Sequence, residues 1–337
     1  MRKNVEMIFE FKNEIPGPPQ TKEQMREQST SNDEVTVNAW RKTWIDNVKR
    51  NKERFGNFKE YGLGRLFGIN KFKPCIVIGS GPSLANNIEV LKQNPGIMVI
   101  SCLHNYQYMV DNDIHVDYYV SLDAGDIVIE EISEGGAKTH ADYVESTKGK
   151  KLISFIGSSP KLYENWKGEI ILFNCSLPDD AYQTETRAVE EFHTYVSTGG
   201  NVFGAATYIA KAIFGSNPIV FMGADFSFSY TRKFHAWDSK YDGNVGEALR
   251  CVDIWGNSVL TWQSYYNFKV WFDWVATHIP GIYINCTEGG LMGSYPEGNI
   301  KQIKQMALVD LFNMYNMHEH MRPQCEKPEI LDPKILF

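Results

Sequence analysis

Long hydrophobic runs, paired cysteines and an excess of positive charge are all missing from this chain. No apolar stretch reaches the roughly 20 residues a membrane-crossing helix needs. The opening Met1-Arg2-Lys3-Asn4-Val5-Glu6 has no apolar core of the kind a signal peptide requires. The six cysteines (Cys75, Cys102, Cys175, Cys251, Cys286 and Cys325) are scattered and form no C-x-x-C pair. That pattern argues against zinc ligation and a disulfide framework, and for buried reduced thiols in a cytoplasmic protein. A net charge of −7 lacks the basic balance a nucleic-acid partner calls for. Histidines cluster only at His318-Glu319-His320, where i, i+2 spacing on a helix turns the imidazoles apart, so no metal site is expected there.

What is present suits a substantial core: 43% of the 337 residues are hydrophobic. The chain divides into an N-terminal arm and helix (1–72), an α/β domain (73–315) and a C-terminal tail (316–337). Residues 8–11 are apolar enough for a short strand. Pro16, Pro18, Pro19 and the polar tract 28–33 then read as a flexible or partner-dependent arm. Over 37–55, Trp40, Trp44 and Val48 recur at helical spacing among Arg41, Lys42, Lys49 and Arg50. A helix packing its tryptophans on the core is favoured there over one meeting a membrane or an acidic partner.

From Lys73 onward, apolar runs alternate with helical stretches. Strands are predicted at 75–78, 97–101, 117–122, 151–156, 169–173, 218–222 and 282–285, most continuously apolar, as in a parallel sheet covered on both faces. Each ends in small, polar or acidic residues. Ligands of open parallel sheets bind at that edge, so the separate segments converge on one crevice.

The first strand ends in Gly79-Ser80-Gly81, followed by Pro82 and Ser83 and a helix from about 85. Two residues without Cβ and a helix start place backbone donors and a positive dipole end together, which suits a phosphate. The third glycine of a dinucleotide fingerprint and the Lys-Ser/Thr of a P-loop are both missing. Ser197, Thr198, Gly199, Gly200 and Asn201 open a second, alanine-rich helix predicted to run over 205–214.

Four segments in order, G-S-G-P-S-L at 79–84, V-S-T-G-G-N-V at 196–202, G-A-D-F-S-F at 223–228 followed by Phe234-His235-Ala236, and I-N-C-T-E-G-G at 284–290, resemble the MptE-like domain. That domain occurs in archaeal 6-hydroxymethylpterin diphosphokinases and in bacterial motility accessory factor (Maf) proteins, and the bacterial type is the more similar. The G-x-G-P-S-L, S-T-G and G-x-D-F elements also resemble bacterial sialyltransferases. The resemblance implies an α/β fold with a Rossmann-like, mostly parallel sheet flanked by helices, sialyltransferase-like, and with an N-terminal helical arm. It implies a transferase taking a nucleotide-activated donor, a CMP-sugar in the Maf type, and passing the sugar to a hydroxyl acceptor, a protein or a glycan.

On that reading Gly79, Ser80, Gly81, Pro82 and Ser83 bind the donor phosphate, with Ser197, Thr198, Gly199, Gly200 and Asn201 as a second anion-receiving turn. Asn105 bonds the base or sugar, or merely caps a loop. Asp123 and Asp126 hold Mg²⁺ or ribose hydroxyls, or else form an Asx turn and a helix cap. Glu288, in a loop with Gly289 and Gly290, accepts sugar or substrate hydroxyls through its carboxylate, or the three form only a turn. His235, oriented by Asp225, acts as base, with Tyr230 near the leaving group. One alternative is diphosphoryl transfer from ATP with Mg²⁺, disfavoured by the lack of an H-G-D-N-like segment. Another is a nucleotide-binding module without catalysis. A homo-oligomer is compatible with the sequence.

Overall fold

The computed structural model describes residues 22–321 apart from 178, 188–193, 241, 296 and 297; for 22–35 and 317–321 it describes backbone alone. The strands in chain order are β1 (Cys75–Ile78), β2 (Met98–Cys102), β3 (Tyr118–Ser121), β4 (Lys151–Phe155), β5 (Glu169–Cys175), β6 (Tyr195–Val196), β7 (Ile219–Met222), β8 (Leu249–Val252), β9 (Ser258–Thr261), β10 (Tyr283–Asn285) and β11 (Ile303–Gln305). All but β8 and β9 join one parallel sheet, in the order β11-β10-β7-β1-β2-β3-β4-β5-β6. β8 and β9 form an antiparallel hairpin beside it.

The continuously apolar runs are the strands buried on both faces: all four residues of β1, β3 and β7 are buried. Each fully buried Ile or Val removes enough apolar surface to contribute about 1.5–3 kcal/mol. β1 is central. The chain builds outward from it through β2 to β6, then returns to its other side for β7, β10 and β11. Ile78 stands level with Met222 on one side and Ser101 on the other, so the carboxyl ends of β7, β1 and β2 lie together. Connections leave β1 and β7 in opposite senses there, and such a switch point opens the crevice in which doubly wound sheets bind ligands.

Ten α-helices are described: α1 (Lys22–Phe55), α2 (Leu84–Leu91), α3 (Tyr106–Asp111), α4 (Val128–Glu131), α5 (His140–Ser146), α6 (Pro160–Asn165), α7 (Asp180–Arg187), α8 (Val202–Tyr208), α9 (Gln263–His278) and α10 (Leu308–Met321). α8 runs into a π turn, Ile209–Ile213, closed by the Phe214 N–H donating to the Ile209 carbonyl at 2.8 Å. Buried Ala205, Ala206 and Ala210 let this segment lie close against the sheet.

Helix α1 differs from expectation. Its backbone is helical from Lys22, well before the predicted start at 37, because Lys22-Glu23-Gln24-Met25-Arg26-Glu27 are good helix formers. Trp44 and Val48 are buried, Trp44 standing edge-on to Phe155 and Tyr182, whereas Trp40 is exposed by 40%. Two buried asparagines fasten α1 to the carboxyl ends of β3 and β4. Asn47 donates to the Ala124 and Gly157 carbonyls (3.0 Å each), and Asn51 donates to those of Ile156 (2.8 Å) and Ser158 (2.9 Å). The strand predicted at 8–11 lies outside the described residues. The tail expected from 316 begins inside α10, which runs on to Met321. Five of the cysteines are free and buried; Cys325 lies outside the described residues.

Candidate functional site

The turn after β1 is shaped first by its neighbour β7. Gly79 donates to the Met222 carbonyl (2.8 Å) and Gly81 to that of Gly223 (2.9 Å). A Cβ on Gly79 would stand 2.6 Å from the Gly223 oxygen, and one on Gly81 would stand 2.0 Å from a carboxylate oxygen of Asp225. Both glycines are required by this close approach of backbones. Beneath Gly81 the Asp225 carboxyl accepts from the Ser83 N–H (3.1 Å) and the Ser83 hydroxyl (2.8 Å). Burial pushes Asp225 up to about 7, against the opposing effect of these bonds. The N–H groups of Gly79, Gly81 and Ser83 are thus already engaged, and a carboxyl occupies the place at the start of α2 where the sequence suggested a phosphate.

A cavity of about 180 Å³ opens beside this turn. Its walls come from both halves of the switch point: Gly79, Ser80 and Gly81 after β1, His104 after β2, Asp123 after β3, Asn201 at the start of α8, and His235 in the long loop after β7. Phe203, Phe226, Phe234, Tyr265 and Phe268 supply an apolar side. The space is below the roughly 300–1,000 Å³ typical of pockets that enclose a whole drug-sized ligand, and suits one end of a larger molecule.

His235 is the best-positioned basic atom here. Its Nδ1–H donates to the Ser80 carbonyl (3.2 Å), which leaves Nε2 as the lone-pair nitrogen, and buried Nε2 has no hydrogen-bond partner. The ring is clamped between Trp237, stacked at 4.8 Å and 12°, and His104, edge-on at 4.6 Å. Burial, then the neighbouring His104, push its pKa down to about 3, so the imidazole is neutral near pH 7. His104 Nε2 pairs with Glu134 (2.9 Å), whose carboxyl is held below its ordinary range chiefly by that bond.

Two further carboxyls, Asp123 and Glu131, line the cavity, and burial raises the pKa of both. Asp123 raises Glu131 further, as two like charges sharing one recess must. The lining contains no lysine or arginine. Among the described residues, no three His, Cys, Asp or Glu side chains gather into a metal site.

Of the residues expected at the site, Gly79, Ser80, Gly81, Asp123, Asn201 and His235 line the cavity, while Pro82, Ser83, Asn105, Ser197, Thr198, Gly199, Gly200, Asp225, Glu288 and Gly289 do not. Asp225 is committed to Ser83 and does not orient His235, whose ring bonds Ser80. Asn105 braces the turn from behind, donating to the Ile78 and Gly79 carbonyls (3.3 and 3.1 Å). Asp126 stands outside with Ser159 (2.7 Å) and Lys161 (2.6 Å), which lower its pKa, so Asp123 is paired with Glu131 and not with Asp126. Asn201 caps α8 by accepting from the Gly204 N–H (2.8 Å), and the Thr198 hydroxyl accepts from the Gly200 N–H (3.1 Å) within the same turn. Glu288 accepts from the Leu308 N–H (2.9 Å) at the start of α10, and a Cβ on Gly289 would only touch Ser83 (3.8 Å). Tyr230 is 67% exposed and bonded to Asp253 and Asn257.

The sequence reading missed His104, Ser121, Glu131 and Glu134. His104 had a signal, since it lies in the polar residues just past β2, one position before Asn105. Glu131 and Glu134 ride on or just after α4, and nothing in their spacing marks the direction they face.

Fold and cavity together define a doubly wound α/β protein with a cavity at the β1/β7 switch point. Residues 42–231, more than half the chain, match the family described as 6-hydroxymethylpterin diphosphokinase MptE-like, and the chain belongs to that family. Among solved structures it is similar to a Maf glycosyltransferase from Magnetospirillum magneticum AMB-1, with a TM-score of 0.51 and 16% identity. The similarity covers 78% of this chain but 41% of that one, so the chain spans under half of its neighbour's length. No curated protein sequence matches the chain.

Proposed function

We propose that this protein is a nucleotide-dependent transferase, a sialyltransferase-like glycosyltransferase that moves a sugar from a nucleotide-activated donor, a CMP-sugar first, to a hydroxyl acceptor. The observation that carries this reading is the unpartnered Nε2 of His235 at the switch-point cavity, its ring fixed by Ser80 and Trp237. The donor's sugar and phosphate end would enter between the Gly79-Ser80-Gly81 turn and Asn201. The acceptor oxygen would attack the anomeric carbon as the bond to the phosphate oxygen breaks, and the acceptor proton would pass to Nε2. Held near 3 by burial, the imidazole is a weak base, and an anionic donor would raise its pKa by offsetting the cost of charging it. The similarity to a Maf glycosyltransferase fold supports the reading. A cytoplasmic location is proposed with it.

The acidic lining favours a second reading, diphosphoryl transfer from ATP. Asp123 and Glu131 suit Mg²⁺, which commonly takes one or two carboxylates and completes its shell with phosphate oxygens and water. Bound there, the ion would neutralise phosphate charge in a recess with no lysine or arginine.

Thermal unfolding with CMP, UDP, ATP and GTP, each with Mg²⁺ or with EDTA, separates these readings. A rise in Tm with CMP that survives EDTA is expected. A rise with ATP that requires Mg²⁺ selects the diphosphokinase reading. No shift with any nucleotide overturns both and leaves a module without this chemistry.

A further inference from the structure

In a parallel sheet every strand begins at the same edge, here the one opposite the cavity. The turn entering β1 is held there by three bonds: the Gly68, Asn70 and Phe72 N–H groups donate to the carbonyls of Ile213 (2.7 Å), Phe214 (3.1 Å) and Gly215 (2.9 Å). So anchored, it holds Phe67 (61% exposed), Ile69 (42%) and Phe72 (47%) in solvent. Ile282 (54% exposed) joins them, since its N–H donates to the Asn217 side chain and the Asn217 N–H donates to the Lys73 carbonyl (2.9 Å each).

Phe72 has φ +58, a conformation a bulky L-residue adopts only at a cost and one that Asn or Gly would take more easily. The Lys71 ammonium lies over its ring (5.2 Å), and a half-exposed phenylalanine held in this conformation is poorly explained by that contact alone.

Charge follows the same edge. Arg65, Lys71 and Lys73 flank the turn; Lys150 and Lys151 stand where β4 begins, about 14 Å or three strand spacings from β1, and Lys167 stands before β5, about 19 Å or four spacings away. The Lys151 ammonium lies over Tyr118, whose ring packs on Phe214 beneath the turn (5.1 Å in each case). Of the acids at this edge, Glu169 pairs with Arg65 (2.6 Å), Glu145 pairs with Lys148 (3.5 Å) and Asp117 accepts from the Val99 N–H (2.8 Å), while Asp113 and Glu164 are exposed ahead of β3 and β5, away from the turn entering β1. The cavity edge, by contrast, holds Asp123, Asp126, Glu131 and Asp225. A chain of net charge −7 thus sets Lys71 and Lys73 directly beside exposed apolar side chains, with further lysines along the same edge of its sheet.

We propose that this edge is a docking surface for an anionic lipid bilayer, with Phe67, Ile69, Phe72 and Ile282 entering the headgroup boundary and the surrounding lysines meeting acidic headgroups. Apolar patches rimmed by polar groups mark such surfaces, and basic residues beside them add attraction to anionic lipid. Isoleucines amid the patch fit acyl chains and give a nucleobase no stacking face. Docked this way, the sheet turns its cavity away from the bilayer.

The test floats the full chain with vesicles of phosphatidylcholine alone and of phosphatidylcholine with phosphatidylglycerol. Binding is expected only with phosphatidylglycerol, weakened about thirtyfold in a Lys71→Gln/Lys73→Gln variant. It should be lost in Phe67→Ser/Ile69→Ser, and Phe72→Asn should raise Tm while weakening binding. A lower Tm for Phe72→Asn means the chain itself needs that ring, which overturns the argument. A Phe67→Cys probe in a Cys325→Ser background, the five described cysteines being buried, should react quickly with a charged thiol reagent and be protected by the anionic vesicles. Slow reaction without vesicles means that a segment of this chain or a second copy covers the patch. That result, binding to single-stranded RNA but not vesicles, or no vesicle binding overturns the proposal.

Discussion

Both oxygens of Asp225 are taken by Ser83, and burial holds its pKa near 7, against about 3.9 in an unfolded chain. Its contribution to stability is therefore complete below about pH 4 and is lost as pH rises through 7, because the unfolded state ionises first. Asp225→Asn removes that dependence. Measured by urea unfolding, the variant should gain up to about 4 kcal/mol relative to wild type between pH 4 and pH 8; a difference that does not change with pH would contradict the assignment. His235 runs the other way. With a folded pKa near 3, its contribution is present above about pH 6.5 and is lost as pH falls toward 3. His235→Ala should leave nucleotide affinity unchanged and lower turnover by about 10²–10⁴-fold, whereas weaker binding with normal turnover would remove it as the base. Gly81→Ala drives a Cβ into the Asp225 carboxyl and should cost about 2–4 kcal/mol, read as a fall in the urea midpoint.

Elements carry the site into register. Asn201 both caps α8 and reaches back to the Gly199 carbonyl (3.1 Å), so Asn201→Ala should cost about 1 kcal/mol of stability and loosen that cavity wall. The loop behind Asp225 is held from α9. Lys269 and Asp273 form a buried pair at 2.7 Å, Lys269 donates to the Ser294 carbonyl (2.6 Å), and the Leu291 N–H at the start of that loop donates to the Asp225 carbonyl (2.7 Å). Lys269→Met alone should cost about 3–5 kcal/mol by stranding a buried carboxyl, and adding Asp273→Leu should recover much of it; a double variant as unstable as the single would argue against the pair. At this scale the sequence was easiest to read where burial was uniform. β1 matches its predicted limits, and six other strands lie within two residues of theirs at each end. β6 and β11 escaped notice because two or three residues set no hydrophobic period and partners far away in the chain decide their pairing, and the local β8–β9 hairpin did so because its half-exposed strands mix Arg250, Ser258 and Thr261 with apolar residues.

Taken whole, the molecule lines its cavity with carboxyls and no lysine or arginine, and Tm against nucleotide and Mg²⁺ reads that acidic recess directly. A ligand at a hundred times its Kd should add about 2.7 kcal/mol to the unfolding free energy. Patterning alone determined the alternation of buried strands and helices, and four short motifs carried the resemblance to the family, because burial on two faces and the demand for small residues at tight turns are written residue by residue. Only the tertiary structure decided which polar ends face the cavity. It turned Asp225 to Ser83, Glu288 to α10 and Asp126 outward, and brought His104 and Glu131 in. Those orientations depend on hydrogen-bond partners many tens of residues distant, and no local spacing encodes them.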